Sequence, residues 1–292
     1  MARVVYVNGS YCPHDLASVH VEDRGYQFAD AAYEVCEIRD DALIDERLHI
    51  DRLWRSLREL RIAEPMSRRA LGVVLRETMR RNRVRDGHVY LQVSRGVARR
   101  DFAFPDPAVP PSVVCYARSK ARASFVRRAV AGIRVITTPD IRWRRPDIKT
   151  VSLLPNALAR QAAYDAGAQE AWLVDDNGFV TEGASCNAWI VTADGTLITR
   201  PTDMGILRGI TRTVLLRALF DATIALVERP FSIGEAKLAK EAFVTSATST
   251  VMPVIAIDGI PVGDGQPGPV TRKLRELFGM WAEKSSWHHL LG

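Results

Sequence analysis

Residues 144–152 read RRPDIKTVS, and the role of the lysine near their centre, Lys149, decides which fold and which chemistry the chain belongs to. Two arginines and an Arg-Pro step precede Lys149, and Ile148, Val151, Leu153 and Leu154 bracket it with apolar side chains. A lysine becomes a nucleophile when desolvation or neighbouring cations lower its pKa from about 10.4. Both influences are at hand here, but a basic surface strand would look the same. The stretch alone leaves a solvated cation and a reactive amine both open.

The chain of 292 residues is long enough for two domains. Apolar residues at 47% and charged residues at 25% are globular values, which argues against disorder and fibrous classes. No apolar run reaches the roughly 20 residues of a membrane span, and the N-terminal MARVVYVNGSYCP enters a strand and a turn instead of a signal-peptide pattern. The expectation is a cytoplasmic protein with no membrane partner. Cys12, Cys36, Cys115 and Cys186 are scattered, without zinc-ligand spacing or a disulfide framework. His288 and His289 read as surface residues, so no metal site is expected. The net charge of +6 comes from arginines interleaved with acids, as in ERLHIDRLWRSLRELRI, which fits a solvated helix face better than a nucleic-acid surface.

Periodicity predicts a strand at Val4 and Tyr6 turning at Asn8-Gly9, and a hairpin from Tyr33–Arg39 to Ala42–Ile44 around Asp40-Asp41. Helices are predicted from Leu48 to Ile62 and, capped by Ser67, through Asn82; strands follow at His88–Ser94 and Val113–Arg118. The basic stretch 119–132, SKARASFVRRAVAG, lacks strand alternation and reads as a linker between a small N-terminal domain, 1–118, and a larger one, 133–292. There strands at Ile133–Thr137, Glu170–Val174, Phe179–Thr181, Asn187–Val191, Thr223–Glu228, Ala242–Thr245 and Val254–Ile257 alternate with helices at Pro155–Ala166, Ile210–Phe220, Ile233–Lys240 and Val270–Glu283. The pattern is α+β for the N-terminal part and a mixed α/β sheet or barrel-like domain after it.

Three further stretches carry polar groups that chemistry could use. In VTEGASCNAWIV, 180–191, Glu182 is followed by the small residues Gly183, Ala184 and Ser185 before a strand opens at Asn187. Small residues beside a carboxylate let a flat ring approach the backbone, although a surface glutamate beside a bulge has the same appearance. In MGILRGITRTVLLRAL, 204–219, Gly209, Ile210 and Thr211 stand where a loop becomes a helix, either an ordinary capped end or a phosphate site. In FVTSATSTVMPV, 243–254, hydroxyls crowd a strand end, as a polar loop or as a second anion-binding turn. An amine for a Schiff base, a carboxylate for a pyridinium nitrogen and two anion-binding turns together answer what pyridoxal phosphate requires.

The chain resembles the fold-type IV pyridoxal-phosphate aminotransferases, and within them the D-amino-acid transaminases. The resemblance runs through VEDRGYQFADAAYEV (21–35), LHIDRL (48–53), DIRWRRPDIKTVSLLPNALARQAA (140–163), VTEGASCNAWIV (180–191), LRGITR (207–212) and FVTSATSTVMPVIAIDG (243–259). It implies a two-domain fold, a small N-terminal α/β sandwich and a larger C-terminal α/β barrel-like domain. It implies that Lys149 is the catalytic residue, forming the Schiff base and shuttling protons, and that Glu182 pairs with the pyridine nitrogen. It also implies that Arg52 holds the phosphate with Gly209, Ile210 and Thr211 on one side and Ser246 and Ala247 on the other. Leu207 matches a position that packs on the ring, and Ser185 and Asn187 complete the cofactor-binding set. The implied reaction is ping-pong transfer of an amino group from a D-amino acid to a 2-oxo acid, by a cytoplasmic homodimer in which a loop reaches the neighbouring subunit. The same lysine and glutamate would serve a branched-chain L-aminotransferase or an aminodeoxychorismate lyase, but Tyr33 and Glu34 in AAYEVCEI resemble the D-specific group.

The D-specific group traps the substrate carboxylate with a tyrosine and an Arg-x-His arrangement. Tyr33 matches the tyrosine; in GVARRDFAFPDP, 96–107, Arg100 matches the arginine, and Phe102 stands where the histidine is expected. Losing that donor costs roughly 1–3 kcal/mol of binding, enough to move substrate preference and too little to change the reaction. Two smaller departures are Ala29-Asp30-Ala31 in place of Gly-Asp-Gly, and Ala247 in place of a threonine.

Overall fold

The computed structural model describes residues 3–203, 205–221 and 224–286. The expectations for Met204, Thr223, His288 and His289 lie outside the described residues. Two units emerge: the described residues within Met1–Arg122, Ile148–Ser152 and Glu283–Gly292 form one, and those of Ala123–Asp147 and Leu153–Ala282 the other.

In the first unit β1 (Val4–Val7) and β2 (Ser10–Pro13) precede helix α1 (Arg24–Phe28), then β3 (Ala31–Arg39), β4 (Ala42–Ile44), helices α2 (Glu46–Glu59) and α3 (Arg68–Asn82), β5 (Gly87–Ser94) and β6 (Ser112–Ser119). Both predicted hairpins are present. Asn8 and Gly9, at φ 45° and 96°, and Asp40 and Asp41, at 51° and 62°, all adopt the positive φ of a two-residue type I′ turn. The sheet runs Lys284–Ser285, β4, β3, β5, β6, β1, β2, with every neighbouring pair antiparallel. Ser67 caps α3 by accepting from the Ala70 N–H at 3.2 Å.

Alternation along β3 and β5 sends Ala32, Cys36, Ile38, Val89, Leu91 and Val93 inward against Leu53, Leu57, Leu71 and Leu75 of the two helices. The opposite face carries a column of rings: Tyr33 and Tyr90 stack at 5.6 Å between centroids, and Tyr90 and Tyr116 at 4.9 Å. Residues 148–152 join the same unit by backbone pairing, since the Tyr33 N–H donates to the Lys149 carbonyl and the Val151 N–H to that of Ala31. The sheet therefore fixes where Lys149 sits.

The second unit holds α4 (Arg122–Ala131), β7 (Ile133–Pro139), α5 (Leu154–Asp165), β8 (Glu170–Val174), β9 (Val180–Gly183), β10 (Asn187–Val191), β11 (Leu197–Thr199), α6 (Ile210–Asp221), β12 (Leu226–Glu228), α7 (Ile233–Lys237), β13 (Glu241–Ser246), β14 (Thr250–Ile257), β15 (Ile260–Pro261) and α8 (Pro269–Trp281). Its mixed sheet runs β12, β11, β10, β13, β14, β7, β8, β9, with β15 added to β14. Parallel pairs join β11 to β12, β14 to β7 and β7 to β8. The expected α+β and mixed α/β character is what the two units show.

Several boundaries differ from the reading of the sequence. Residues 119–132, read as a linker, contain helix α4, whose Phe125 and Ala129 lie against the core of the second unit and whose Phe125 ring receives Arg275 at 4.5 Å. Strand β14 opens at Thr250, not Val254, because Pro253 pairs opposite Phe243 within the ladder. Helix α7 ends at Lys237, short of Lys240, where the Lys240 N–H leaves the helix to donate to Val191 of β10. Helix α1 went unread because its five residues bury almost no apolar face.

Ala29 closes α1 in the left-handed region at φ 57°, where the family pattern has glycine. A side chain there costs roughly 1 kcal/mol. Ala29→Gly should therefore raise the first thermal unfolding midpoint by about 2–4 °C; an unchanged or lower midpoint would mean that the backbone stores no strain at this cap.

Candidate active site

In the first unit the polar centre is Glu34. Alternation along β3 turns it inward, where a carboxylate needs a partner, and α2 supplies two. Arg52 donates through Nε to Oε1 at 2.7 Å and through Nη2 to Oε2 at 2.8 Å, a bidentate fork, while His49 Nδ1 lies 2.7 Å from Oε2. Burial works to raise the Glu34 pKa, but the Arg52 charge and the hydrogen bonds from Arg52 and His49 outweigh it and hold the carboxyl at about 2. Burial also pushes His49 below its ordinary value, so the imidazole is neutral and donates its Nδ1 proton to Glu34. Arg52 and His49 lie on one face of α2 at i and i+3, which is how one helix delivers both. Lys149 is half-buried beside them: its N–H donates to Ser56 Oγ of α2 at 3.4 Å, and its Nζ stands 4.2 Å from the centroid of the Tyr33 ring. The structure thus gathers Tyr33, Arg52 and Lys149, three residues singled out in sequence, around one sheet-and-helix corner.

Arg100 and Phe102 lie on the loop between β5 and β6. Both are exposed, Phe102 to 85%, and among the described residues no hydrogen bond or ring contact joins either to Tyr33. The loop is clamped at its base. Buried Arg24 donates to Asp30 at 2.9 Å and to the carbonyls of Asp101 at 2.6 Å and Ala103 at 3.2 Å, and Arg95 forks onto the same Asp30 at 2.6 and 3.0 Å.

In the second unit Glu182 on β9 is the counterpart of Glu34. Arg142 binds its Oε1, the Asn187 side-chain amide donates to Oε2 at 2.8 Å, and the Leu207 N–H approaches both oxygens at 3.2 and 3.3 Å. Asp140 in turn grips Arg142 through Nε and Nη2 at 2.9 and 2.7 Å, and accepts from the Thr181 hydroxyl at 2.7 Å. Burial raises the Glu182 pKa above its ordinary 4.5, with Arg142 and the Leu207 N–H pulling against it. Burial opposes the charge on Arg142 as well, yet Asp140 and Glu182 lift its pKa above the ordinary value. The result is a buried carboxylate held by a permanent cation and two further N–H donors.

The Asn187 amide also donates to the Leu207 carbonyl at 2.9 Å, tying the start of β10 to the loop before α6. A Cβ on Gly209 would lie 2.1 Å from Asn187 Oδ1, so this close approach requires glycine. Ile210 and Thr211, both buried, open α6 at the positive end of the helix dipole. Asn187 pairs with Thr245 across β10 and β13, which brings the Ser246-Ala247 turn to the same end of the sheet. There Ser246 Oγ accepts from the Ser249 N–H at 3.1 Å. Ser185 departs from the group: its hydroxyl donates to Glu170 at 2.7 Å. Sequence reasoning passed over Arg142, Asp140 and His49. The Asp-x-Arg spacing of DIR, which puts both side chains on one side of an extended segment, was the available signal for the first two.

Residues 31–257 match the amino-transferase class IV family. The chain belongs to the class IV aminotransferases. It is 39% identical over 283 residues to a D-alanine aminotransferase of Staphylococcus haemolyticus, covering 97% of this chain and 99% of the relative. It is 37% identical over 275 residues to that of Listeria monocytogenes serotype 4b, covering 94% of each. Among solved structures, the branched-chain amino acid aminotransferase of Escherichia coli aligns with a TM-score of 0.87 at 25% identity, over 96% of this chain and 95% of that one. The T.th. branched-chain amino acid aminotransferase with pyridoxamine 5′-phosphate aligns at 0.86 and 26% identity, over 97% and 98%.

As a fold-type IV aminotransferase the enzyme depends on pyridoxal 5′-phosphate, and its residues fit that group chemically. Each unit carries groups of the kinds that cofactor binds through: a lysine amine in the first, and in the second a buried carboxylate, a glycine-dependent helix start and a hydroxyl-rich turn. Among the described residues no helix is long and apolar enough to cross a membrane.

The depressed pKa of Glu34 has a stability consequence. Its folded value of about 2 lies below the ordinary 4.5, so pairing stabilises the fold above pH 4.5 by about 3 kcal/mol, and that gain is lost as pH falls toward 2. Glu34→Gln, which leaves Arg52 buried without its anion, should destabilise the protein by roughly 3 kcal/mol at pH 7 in urea denaturation. The gap between variant and wild type should narrow below pH 4.5; a gap that is constant from pH 7 to 3 would refute this.

Proposed function

We propose that the enzyme moves the amino group of a D-amino acid of the D-alanine kind to a 2-oxo acid, 2-oxoglutarate or pyruvate, by a ping-pong sequence. The observation that carries this reading is the 39% identity to a D-alanine aminotransferase over nearly the whole chain, and Tyr33 beside Lys149 Nζ supports it. Pyridoxal phosphate, when bound, supplies an electron sink for the carbanion that develops at the substrate Cα. The Lys149 amine would hold the cofactor aldehyde and would take up and return the proton at the substrate Cα. Glu182 holds a proton on the ring nitrogen. Arg52, steered by Glu34, takes the phosphate together with Ile210 and Thr211 of the α6 start and Ser246 and Ala247 of the turn. Gly209 would keep the helix start open, Leu207 would pack on the ring and Asn187 would orient Glu182, while Ser185, bonded to Glu170, stands outside this set. Tyr33 and Arg100 bind the substrate carboxylate, Arg100 being delivered to the neighbouring subunit of a homodimer. The enzyme works in the cytoplasm on small amino and 2-oxo acids.

Surface arginines such as Arg80 and Arg81 pair with Glu77 within one helix, which supports the absence of a nucleic-acid role. A branched-chain L-amino-acid reading comes second, favoured by the solved neighbours at 25 and 26% identity.

A donor panel with 2-oxoglutarate separates the two. D-Alanine should exceed L-leucine by about 100-fold in kcat/KM, whereas preference for L-leucine would overturn the assignment. Lys149→Ala should lower kcat by on the order of 10³-fold; near wild-type turnover would remove the lysine from the mechanism. Arg100→Ala should raise KM for D-alanine by about tenfold or more, and an unchanged KM would take Arg100 out of the carboxylate site.

A further inference from the structure

The replacement of histidine by Phe102 leaves Arg100 without its family partner, and the structure contains an aromatic substitute. The Arg100 guanidinium carbon lies 4.8 Å from the centroid of the Phe28 ring, within the range where a cation is attracted to a ring face. Phe102 packs against the same ring, with centroids 5.6 Å apart and planes inclined by 58°. Phe28 is itself fixed: it ends α1, and Arg24 stands 4.7 Å from its centroid while holding Asp30 and the carbonyls of Asp101 and Ala103 on either side of Phe102. Arg24 is neutralised by Asp30, whereas among the described residues no carboxylate pairs with Arg100. Its charge is thus held in place by rings and left open to an incoming anion.

We propose that Phe28 is a positioning residue for substrate binding, presenting the Arg100 guanidinium to the donor carboxylate, and that Phe102 completes this shelf in place of the absent histidine. The inference rests on Arg100 being the carboxylate anchor. A ring face gives Arg100 direction without consuming its N–H donors, so the whole fork stays available for a bidentate carboxylate. A histidine in the Phe102 position would instead add a donor of its own.

The test is steady-state kinetics of the holoenzyme with D-alanine, together with inhibition by propionate as a bare carboxylate, for Phe28→Leu, Phe28→Tyr, Arg100→Ala and the double variant Phe28→Leu/Arg100→Ala. Phe28→Leu should raise both the KM and the propionate inhibition constant about fivefold while kcat stays within about twofold. Phe28→Tyr, which keeps the ring, should restore both constants, and in the Arg100→Ala background the leucine should have no further effect. If Arg100→Ala weakens both carboxylates and Phe28→Leu does not, or if the leucine effect persists undiminished without Arg100, the positioning role is overturned and the anchor stands. If Arg100→Ala itself leaves both constants unchanged, the anchor reading falls and this inference with it.

Discussion

A carboxylate removed from water must find a cation, and the fork between Glu34 and Arg52 is where this chain meets that demand most sharply. Both side chains are nearly inaccessible, so removing either would strand a buried charge at a cost of roughly 3–5 kcal/mol. The pair links β3 to α2, and the same strand and helix also fix Lys149, through the Tyr33 N–H and the Ser56 hydroxyl. Ordering a guanidinium on its flexible stem costs conformational entropy. Glu34 removes that freedom in advance, and His49 occupies the second lone-pair region of the carboxylate, so that the guanidinium is aimed by a fully engaged anion.

The second unit repeats the device with a different purpose. Asp140 holds Arg142, Arg142 holds Glu182, and Asn187 and Leu207 complete the ring of donors. At Glu34 burial is outweighed by Arg52 and His49 together, which hold its pKa at about 2, whereas at Glu182 burial prevails and leaves the pKa raised. The first carboxylate stays an anion and serves as a structural anchor. The second is caged by Arg142, Asn187 and the Leu207 N–H, which work against the burial that raises its pKa.

Much of this was legible in the chain. The Asn8-Gly9 and Asp40-Asp41 turns, the Ser67 cap, the α2 face and the strands at Glu170–Val174 and Asn187–Val191 follow from local rules and stand where those rules put them. Features set by tertiary contact were not. Helix α4 is basic on its solvent side and offers only Phe125 and Ala129 to the core, too few apolar positions to outweigh a reading as linker. Pro253 sits inside a ladder that local preference disfavours. For the candidate site, motif order singles out Lys149 and Glu182 but does not point to the partners of Glu34 and Glu182. Alternation along β3 turns Glu34 inward without naming His49 as its partner, and the Asp-x-Arg spacing pairs Arg142 with Asp140 without showing that its guanidinium is buried on Glu182.

Three of the departures from the family pattern, Ala29, Ala31 and Phe102, fall on one loop and its base, and the fourth, Ala247, on the turn after β13. The clamp built from Arg24, Asp30 and Arg95 shows how the loop keeps its shape despite them. The buried pairs Glu34–Arg52 and Glu182–Arg142 lie outside these departures. The central claim is that Lys149 is the amine that carries the cofactor, and borohydride reduction of the holoenzyme followed by peptide mass mapping tests it most directly. The account predicts a yellow protein whose reduced pyridoxyl group is recovered on Lys149; recovery on another lysine, or a protein that stays colourless and unmodified after pyridoxal phosphate is added, would contradict it.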